Sequence, residues 1–265
     1  MTRDRRGFTI IELVVVVVLG SLILGATLQV LLTNQRIYTG LNSRVRGSQS
    51  MRAALAVLSS ELREISPPEG DLVMMHADSL RIRAMRQLSV ICHDTVRGTP
   101  NFRGFQIGDL IVSGDSVVVF ADNNSLGSWD DEWILTRVTS VAAATCNGAA
   151  GQRLTFASAT PFTNDSVSSG AEVRAFTHVA YGLVQVGSDW FLGQSVSGGA
   201  WEPVVGPLRS GRGLEFTYLD EFESVTTTAT EVAMIDVTVR TGGDVVGSTG
   251  ELIADSVTVR IHTRN

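Results

Sequence analysis

The 265-residue chain carries a formal net charge of −6, and all 21 of its basic side chains are arginines. That length holds one large domain or two small ones with a sizeable core, and the acidic balance gives no basis for nucleic-acid binding through a general basic surface. The only cysteines, Cys92 and Cys146, exclude a zinc ribbon and any Cys-x-x-Cys motif.

The chain begins with three arginines, Arg3, Arg5 and Arg6, followed by "GFTIIELVVVVVLGSLILG" from Gly7 to Gly25. Leu13 to Leu32 carries no charge. At about 1.5 Å per residue it spans roughly 30 Å, the thickness of a hydrocarbon core. Its valines favour strands in water, but in lipid a single segment must satisfy its own backbone, so a helix is predicted. The leading arginines place the N-terminus in the cytoplasm and send the rest across the membrane. Ser21 and Gly25 form a small-x-x-x-small pair that lets another helix approach closely, or is simply tolerated in lipid.

One carboxylate interrupts this pattern. A charge at the bilayer centre costs roughly 2.5–3.5 kcal/mol on insertion scales, so Glu12 calls for a reason. A secretory signal peptide has a shorter apolar run and a small-residue cleavage site, and "QVLLTNQR" offers none. A plain signal anchor fits the length and leaves Glu12 unexplained. The stretch "RRGFTIIEL" resembles the class III signal of type IV prepilins and pseudopilins. The resemblance covers under a tenth of the chain. It implies that a prepilin peptidase cuts after Gly7 and N-methylates Phe8 as the new N-terminus. Glu12 then stands at the fifth mature position. Thr9, Ile10, Ile11 and Leu13 follow the family's usual pattern, with Ile11 in place of leucine. In a staggered filament the Glu12 carboxylate meets the α-ammonium of a neighbouring subunit. Such a pair is far stronger in low dielectric than in water, although both partners lose hydration. Removing residues 1–7 takes away three arginines and one aspartate, so the side-chain charge moves from −6 to −8.

Past the span, Ile37, Leu41, Val45, Ser48, Met51, Leu55, Leu58, Leu62 and Ile65 recur at spacings of three and four. This is one stripe of an amphipathic helix, with Arg36, Arg44, Arg46, Arg52 and Arg63 mostly off it. Gly40 and Gly47 are candidate bends. Pro67-Pro68 ends the helix, since proline lacks the N–H and disfavours helix at the residue before it. The predicted helix runs from Phe8 to Ser66, roughly 90 Å. Its stripe is expected to dock on the chain's own sheet.

After Pro68 the period becomes two. "SLRIRAM" (79–85) alternates apolar and polar, as a half-buried antiparallel strand does. Further strands are expected at 116–122, 132–141, 152–157, 175–186, 189–195, 214–222, 231–240 and 252–263. Gly187-Ser188 is a hairpin signal, and the last two strands are paired through "TGGDVVGSTGE". The predicted class is α+β: a long N-terminal helix, half transmembrane and half amphipathic, packed on an antiparallel β-rich domain. The divisions are a leader at 1–7, a transmembrane helix at 8–32, an amphipathic helix at 33–66 and a globular domain at 67–265. The order of helix, strands and a terminal strand pair is similar to the larger PilW-like minor pilins and J-type (GspJ-like) pseudopilins. If the domain is exported, a Cys92–Cys146 disulfide is expected; two separate buried thiols are the alternative.

No hydrolase, zinc-protease or dinucleotide motif is present, so no enzymatic activity and no cofactor is expected. "GQSVSGG" places its second glycine one position late for a nucleophile elbow. His93 and Cys92 are adjacent, and adjacent strand residues face opposite sides. The loop Asp122–Glu132 is oxygen-rich, but Leu126 and Trp133 occupy positions where an EF-hand needs ligands, so a solvated acidic loop is expected. The sequence therefore points to a structural subunit that initiates or caps a type IV pilus or type II secretion filament. Its implied partners are the prepilin peptidase/N-methyltransferase, other pilins and inner-membrane lipid. Its implied location is the bacterial inner membrane, single-pass, with the globular domain periplasmic or extracellular. The alternative is a filament-displayed binding module, an adhesin or a DNA- or substrate-binding domain. Exposed, clustered Trp129, Trp133, Trp190 and Trp201 would favour that alternative.

Overall fold

A computed structural model describes residues 10–92, 101–122, 131–146, 148–157, 167–246 and 252–264. One helix, α1 (Ile10–Leu62), precedes twelve strands, and the fold is α+β as expected. The strands are β1 (Leu72–Met75), β2 (Ser79–Ile91), β3 (Asn101–Gly108), β4 (Ser116–Asp122), β5 (Asp131–Cys146) and β6 (Ala149–Phe156). They continue with β7 (Glu172–Val186), β8 (Asp189–Val196), β9 (Glu202–Leu208), β10 (Leu214–Leu219), β11 (Met234–Val246) and β12 (Leu252–His262). At about 1.5 Å per residue the 53 residues of α1 extend roughly 80 Å. The helix runs unbroken through Gly40 and Gly47.

The helix ends at Leu62, four residues before the predicted stop. Ser66 is already extended, as the residue before a proline prefers, with φ −113° and ψ 95°. Its N–H donates to the Asp71 carboxylate at 2.9 Å. Burial pushes the Asp71 carboxyl above its ordinary value, against the pull of that N–H and of Arg83. The Arg264 N–H donates to the Ile65 carbonyl at 2.9 Å, so the end of the chain clamps the end of the helix.

Two cores organise the domain. The first lies between α1 and both sheets. Met51, Ala54, Leu55, Leu58 and Leu62 from the helix meet Leu80, Ile82, Val179, Tyr181 and Leu192 from the large sheet. Phe216, Ile235, Val237, Val239 and Ile261 of the small β10-β11-β12 sheet complete it. The second core fills a closed ring of strands. The ladders run β2-β3-β6-β5-β4-β7, and β7 pairs back onto β2. Phe102, Val117, Val119, Ile134, Val138, Leu154, Phe156, Val173 and Ala175 point inward.

The same strand, β2, serves both cores. Leu80, Ile82 and Ala84 are buried on even positions, Ser89 and Ile91 on odd ones. A register shift between Met85 and Gln87 makes the change. One extra residue moves every later side chain to the other face of the sheet.

Three strands escape the period-two reading. The first, β1, has only four residues. In β3, Gly104 breaks the apolar alternation. A Cβ there would stand against the Ser89 hydroxyl and 2.9 Å from the Val90 carbonyl, so only glycine lets β2 and β3 approach this closely. The last, β9 ("EPVVGPL"), contains two prolines and lies at the sheet edge, where a missing donor is tolerated. Leu58 is fully buried in the first core. Leu58→Ala is expected to cost about 2–5 kcal/mol, read as an earlier urea midpoint with unchanged slope.

Candidate functional site

The helix has two halves with different surroundings. From Ile10 to Leu32 its side chains are exposed or nearly so, Ile10 at 85% and Leu22 at 65% among them. Among the described residues nothing in the domain covers this apolar cylinder; the buried helical residues begin at Gly40. Its hydroxyl side chains are satisfied within the helix. The Ser21 hydroxyl donates to the Val18 carbonyl at 2.8 Å, and Thr27 donates to Ile23 at 2.8 Å and to Leu24 at 2.9 Å. A helix with its backbone and hydroxyls paired internally can enter lipid without orphaned donors. By length and composition this is the helix able to cross a membrane.

Glu12 lies in the first described turn, on the exposed surface, flanked by Ile11 and Leu13. Gly7 and Phe8 lie outside the described residues. A Cβ on Gly20 or Gly25 would meet nothing within 4 Å, so the small-residue face of the span is open.

The lower half is the docked one, and here the predicted stripe divides. Met51, Leu55, Leu58, Leu62 and Ile65 are buried, whereas Ile37, Leu41 and Val45 stay exposed. At Gly47 the small sheet comes close to the helix: a Cβ there would approach the Thr241 Oγ1 to 2.8 Å. The Ser50 hydroxyl donates to the Gly206 carbonyl at 2.8 Å. Near the helix end Arg86 forms a two-pronged pair with Glu61, at 3.0 and 3.1 Å. These contacts hold the free half of α1 in a fixed direction from the domain.

Cys92 and Cys146 come together at the far end of the second core. They are bonded as a disulfide, with Cα atoms 5.6 Å apart. Cys92 closes β2, and Cys146 ends β5 at its turn into β6, so the bond ties that hairpin to the ring.

No catalytic constellation forms among the described residues. A cleft of about 500 Å³ is lined by Arg63, Arg86, Arg174, Arg264, Glu64 and Glu172, with no nucleophile or histidine among its lining residues. Three of its four arginines are engaged: Arg86 with Glu61, Arg264 with Glu69, and Arg174 with Glu172, the last also 4.4 Å from the Trp133 ring centre. Burial, then Arg83 and Arg81, lowers the His178 imidazole; burial and Glu61 push the Tyr181 phenol up to about 12. Neither group belongs to that cleft. Among the described residues no group of three or more His, Cys, Asp or Glu side chains is placed to hold a metal ion. Asp122 and Asp131 face each other on β4 and β5; residues 123–130 of the acidic loop, with Trp129, and His93 lie outside the described residues.

The other tryptophans are spread out. Trp133 and Trp190 are half-buried, and Trp201 lies over the paired glycines Gly182 and Gly193, 3.2 Å from a Cβ built on either. They do not form the exposed aromatic cluster that a binding module would present.

A family model described as the prokaryotic N-terminal methylation motif matches residues 2–28. The match spans Gly7, Phe8, Glu12 and most of the exposed apolar cylinder. It supports a type IV pilin or pseudopilin-like protein with a membrane-anchoring helix, and that family is structural rather than enzymatic. The motif implies processing by a prepilin peptidase. Comparison with curated proteins finds no match to the chain.

Proposed function

We propose that the chain is a minor pilin or pseudopilin, made as a precursor, cut after Gly7 and N-methylated at Phe8. It helps to initiate or cap a type IV pilus or type II secretion filament, as the larger PilW-like and J-type subunits do. The observation that carries this reading is the methylation motif at residues 2–28, continuous with an apolar helix that the domain leaves uncovered. An uncovered apolar helix has two solvents available to it: lipid before assembly and the helices of other subunits after it. The docked half of α1 sets the direction in which a subunit presents its domain. The disulfide suits an oxidising compartment, so the domain is assigned to the periplasmic or outer side.

The test is recovery of the chain with sheared filaments, set beside the phenotype of its deletion. Co-purification with pili, and pili lost or reduced in number on deletion, is the expected outcome for a pilus subunit. Loss of secreted enzymes with intact pili assigns it to the secretion filament. A deletion that changes neither, with the chain absent from every filament fraction, contradicts the proposal.

A further inference from the structure

The helix contains no carboxylate between Glu12 and Glu61, although the chain as a whole is acidic. The same stretch carries Arg36, Arg44, Arg46 and Arg52. At 3.6 residues per turn, Arg36 falls on the same side of α1 as Gly47, Ser50, Met51 and Ala54, the side that meets the domain. Arg44 and Arg46 flank that side. All three are exposed.

The domain adds to this set. A recess of about 450 Å³ opens where the helix leaves the domain, lined by Thr39, Asn42 and Arg46 from α1 and by Ser188, Trp190 and Ser210 from the strand ends. The loop after β9 is therefore beside the helix on its lipid-facing side. That loop carries Arg209 and Arg212, both exposed. None of Arg36, Arg44, Arg46, Arg209 and Arg212 forms a salt bridge with a described residue. Among the recess's lining residues the carboxylate is Asp189; Asp255 faces Thr241 across β11 and β12 nearby, and Glu215 on β10 is held by Arg240 at 2.6 Å.

Position turns this collar toward the membrane. Arg36 lies four residues beyond Leu32, roughly 6 Å along the helix, at the depth of the headgroup layer. Side chains of a helix lean toward its N-terminus, which here is the bilayer side. Arg44 and Arg46, about 18 and 21 Å along the helix from Leu32, lean back toward the surface, and Ser210, in the same loop as Arg209 and Arg212, shares the recess with Arg46.

We propose that Arg36, Arg44, Arg46, Arg209 and Arg212 form a collar that binds anionic phospholipid headgroups and seats the domain on the membrane before assembly. The proposal rests on the reading of residues 8–32 as a membrane span. Each arginine near an anionic surface contributes roughly a fivefold bias toward the seated state, screened by salt. Seating that depends on salt and lipid charge is reversible, so the domain is released when the subunit leaves the bilayer for the filament.

The test uses the full chain in vesicles, with a fluorophore on Ser188→Cys at the rim and an acceptor on the headgroups. Energy transfer should be higher in phosphatidylcholine mixed with phosphatidylglycerol than in phosphatidylcholine alone. It should fall to the phosphatidylcholine value at roughly 1 M salt, where the screening length is about 3 Å. Arg46→Gln/Arg209→Gln/Arg212→Gln should abolish the difference; these side chains are exposed and form no ion pair with a described residue, so the fold should be kept. Equal transfer in the two vesicles, or a lipid effect that survives the triple substitution, overturns the proposal. So does a triple variant that loses association with neighbouring subunits while its lipid response is unchanged, because the collar then receives an acidic protein surface. Release of the unmodified chain by alkaline wash contradicts the membrane-span reading itself, a failure distinct from that of the collar.

Discussion

Glu12→Ala should leave the chain in the membrane and lower its incorporation into filaments roughly hundredfold. The argument is differential. In an isolated helix the ionised carboxylate opposes insertion, by less than the roughly 2.5–3.5 kcal/mol of a charge at the bilayer centre because Glu12 is near the end of the span, so its removal makes the span a better membrane segment. In an assembled filament the same carboxylate is proposed to face the methylated ammonium of a neighbour. Breaking a buried ion pair by deleting one partner costs about 3–5 kcal/mol, because the other charge stays buried and unpaired. At 1.4 kcal/mol per factor of ten, the lower figure already gives about a hundredfold. Glu12→Gln keeps the size and the hydrogen-bonding capacity and removes the charge. Comparable loss in both variants, with alkaline-resistant membrane retention in both, supports charge pairing. Normal incorporation of Glu12→Gln would show that the charge is not what matters. N-methylation should also fall in Glu12→Ala; a variant that is methylated and incorporated as before would remove the basis for assigning Glu12 to assembly.

Replacing both cysteines, Cys92→Ser/Cys146→Ser, should cost the domain about 4 kcal/mol. The bond closes a loop with a sequence separation of 54, and the figure follows from the loop entropy of the unfolded chain. For a domain of this size that is roughly 10 °C in Tm. The loss should be local in origin. The β5–β6 hairpin is held to the end of β2 by this bond, so amide exchange should rise first in β3, β6 and the outer half of β5. The core around Leu58 should keep its protection until global unfolding. A reducing agent should reproduce the shift in the unmodified protein. An unchanged midpoint, or free thiols in protein taken from the exported fraction, would speak against the bond.

Much of the fold was legible because two periods alternate cleanly along the chain. Spacings of three and four gave α1, and spacings of two gave β2, β4, β7 and β12. What was not legible depends on partners distant in sequence. The ring closure of β7 onto β2 is one example, since no local pattern in "EVRAFTHVAYGLVQV" says that half of the strand serves one core and half another. The end of α1 is another. The prolines marked a stop, but the chain leaves the helix earlier because Ile65, Ser66 and Asp71 find tertiary partners. The stripe divides for a similar reason: Ile37, Leu41 and Val45 fit the period, yet their side chains stay exposed.

The candidate site was legible to a different degree. Glu12 stood out because a charge in an apolar run is costly, a fact available without coordinates. The arginine collar did not stand out. Arg209 and Arg212 are more than 160 positions from Arg46 in the chain, and only the packing of the β9 end beside α1 brings the two segments to one rim. A pattern scan sees five arginines mostly off an apolar stripe; the fold sets three of them beside Arg209 and Arg212 on one side of a surface.

The most direct measurement is the intact mass and N-terminal residue of the protein recovered from bacterial membranes that contain a prepilin peptidase. The prediction is a chain lacking residues 1–7 that begins at Phe8 and carries one added methyl group. A chain that retains Met1, or one cut beyond Leu32 as a secretory signal would be, would contradict the account.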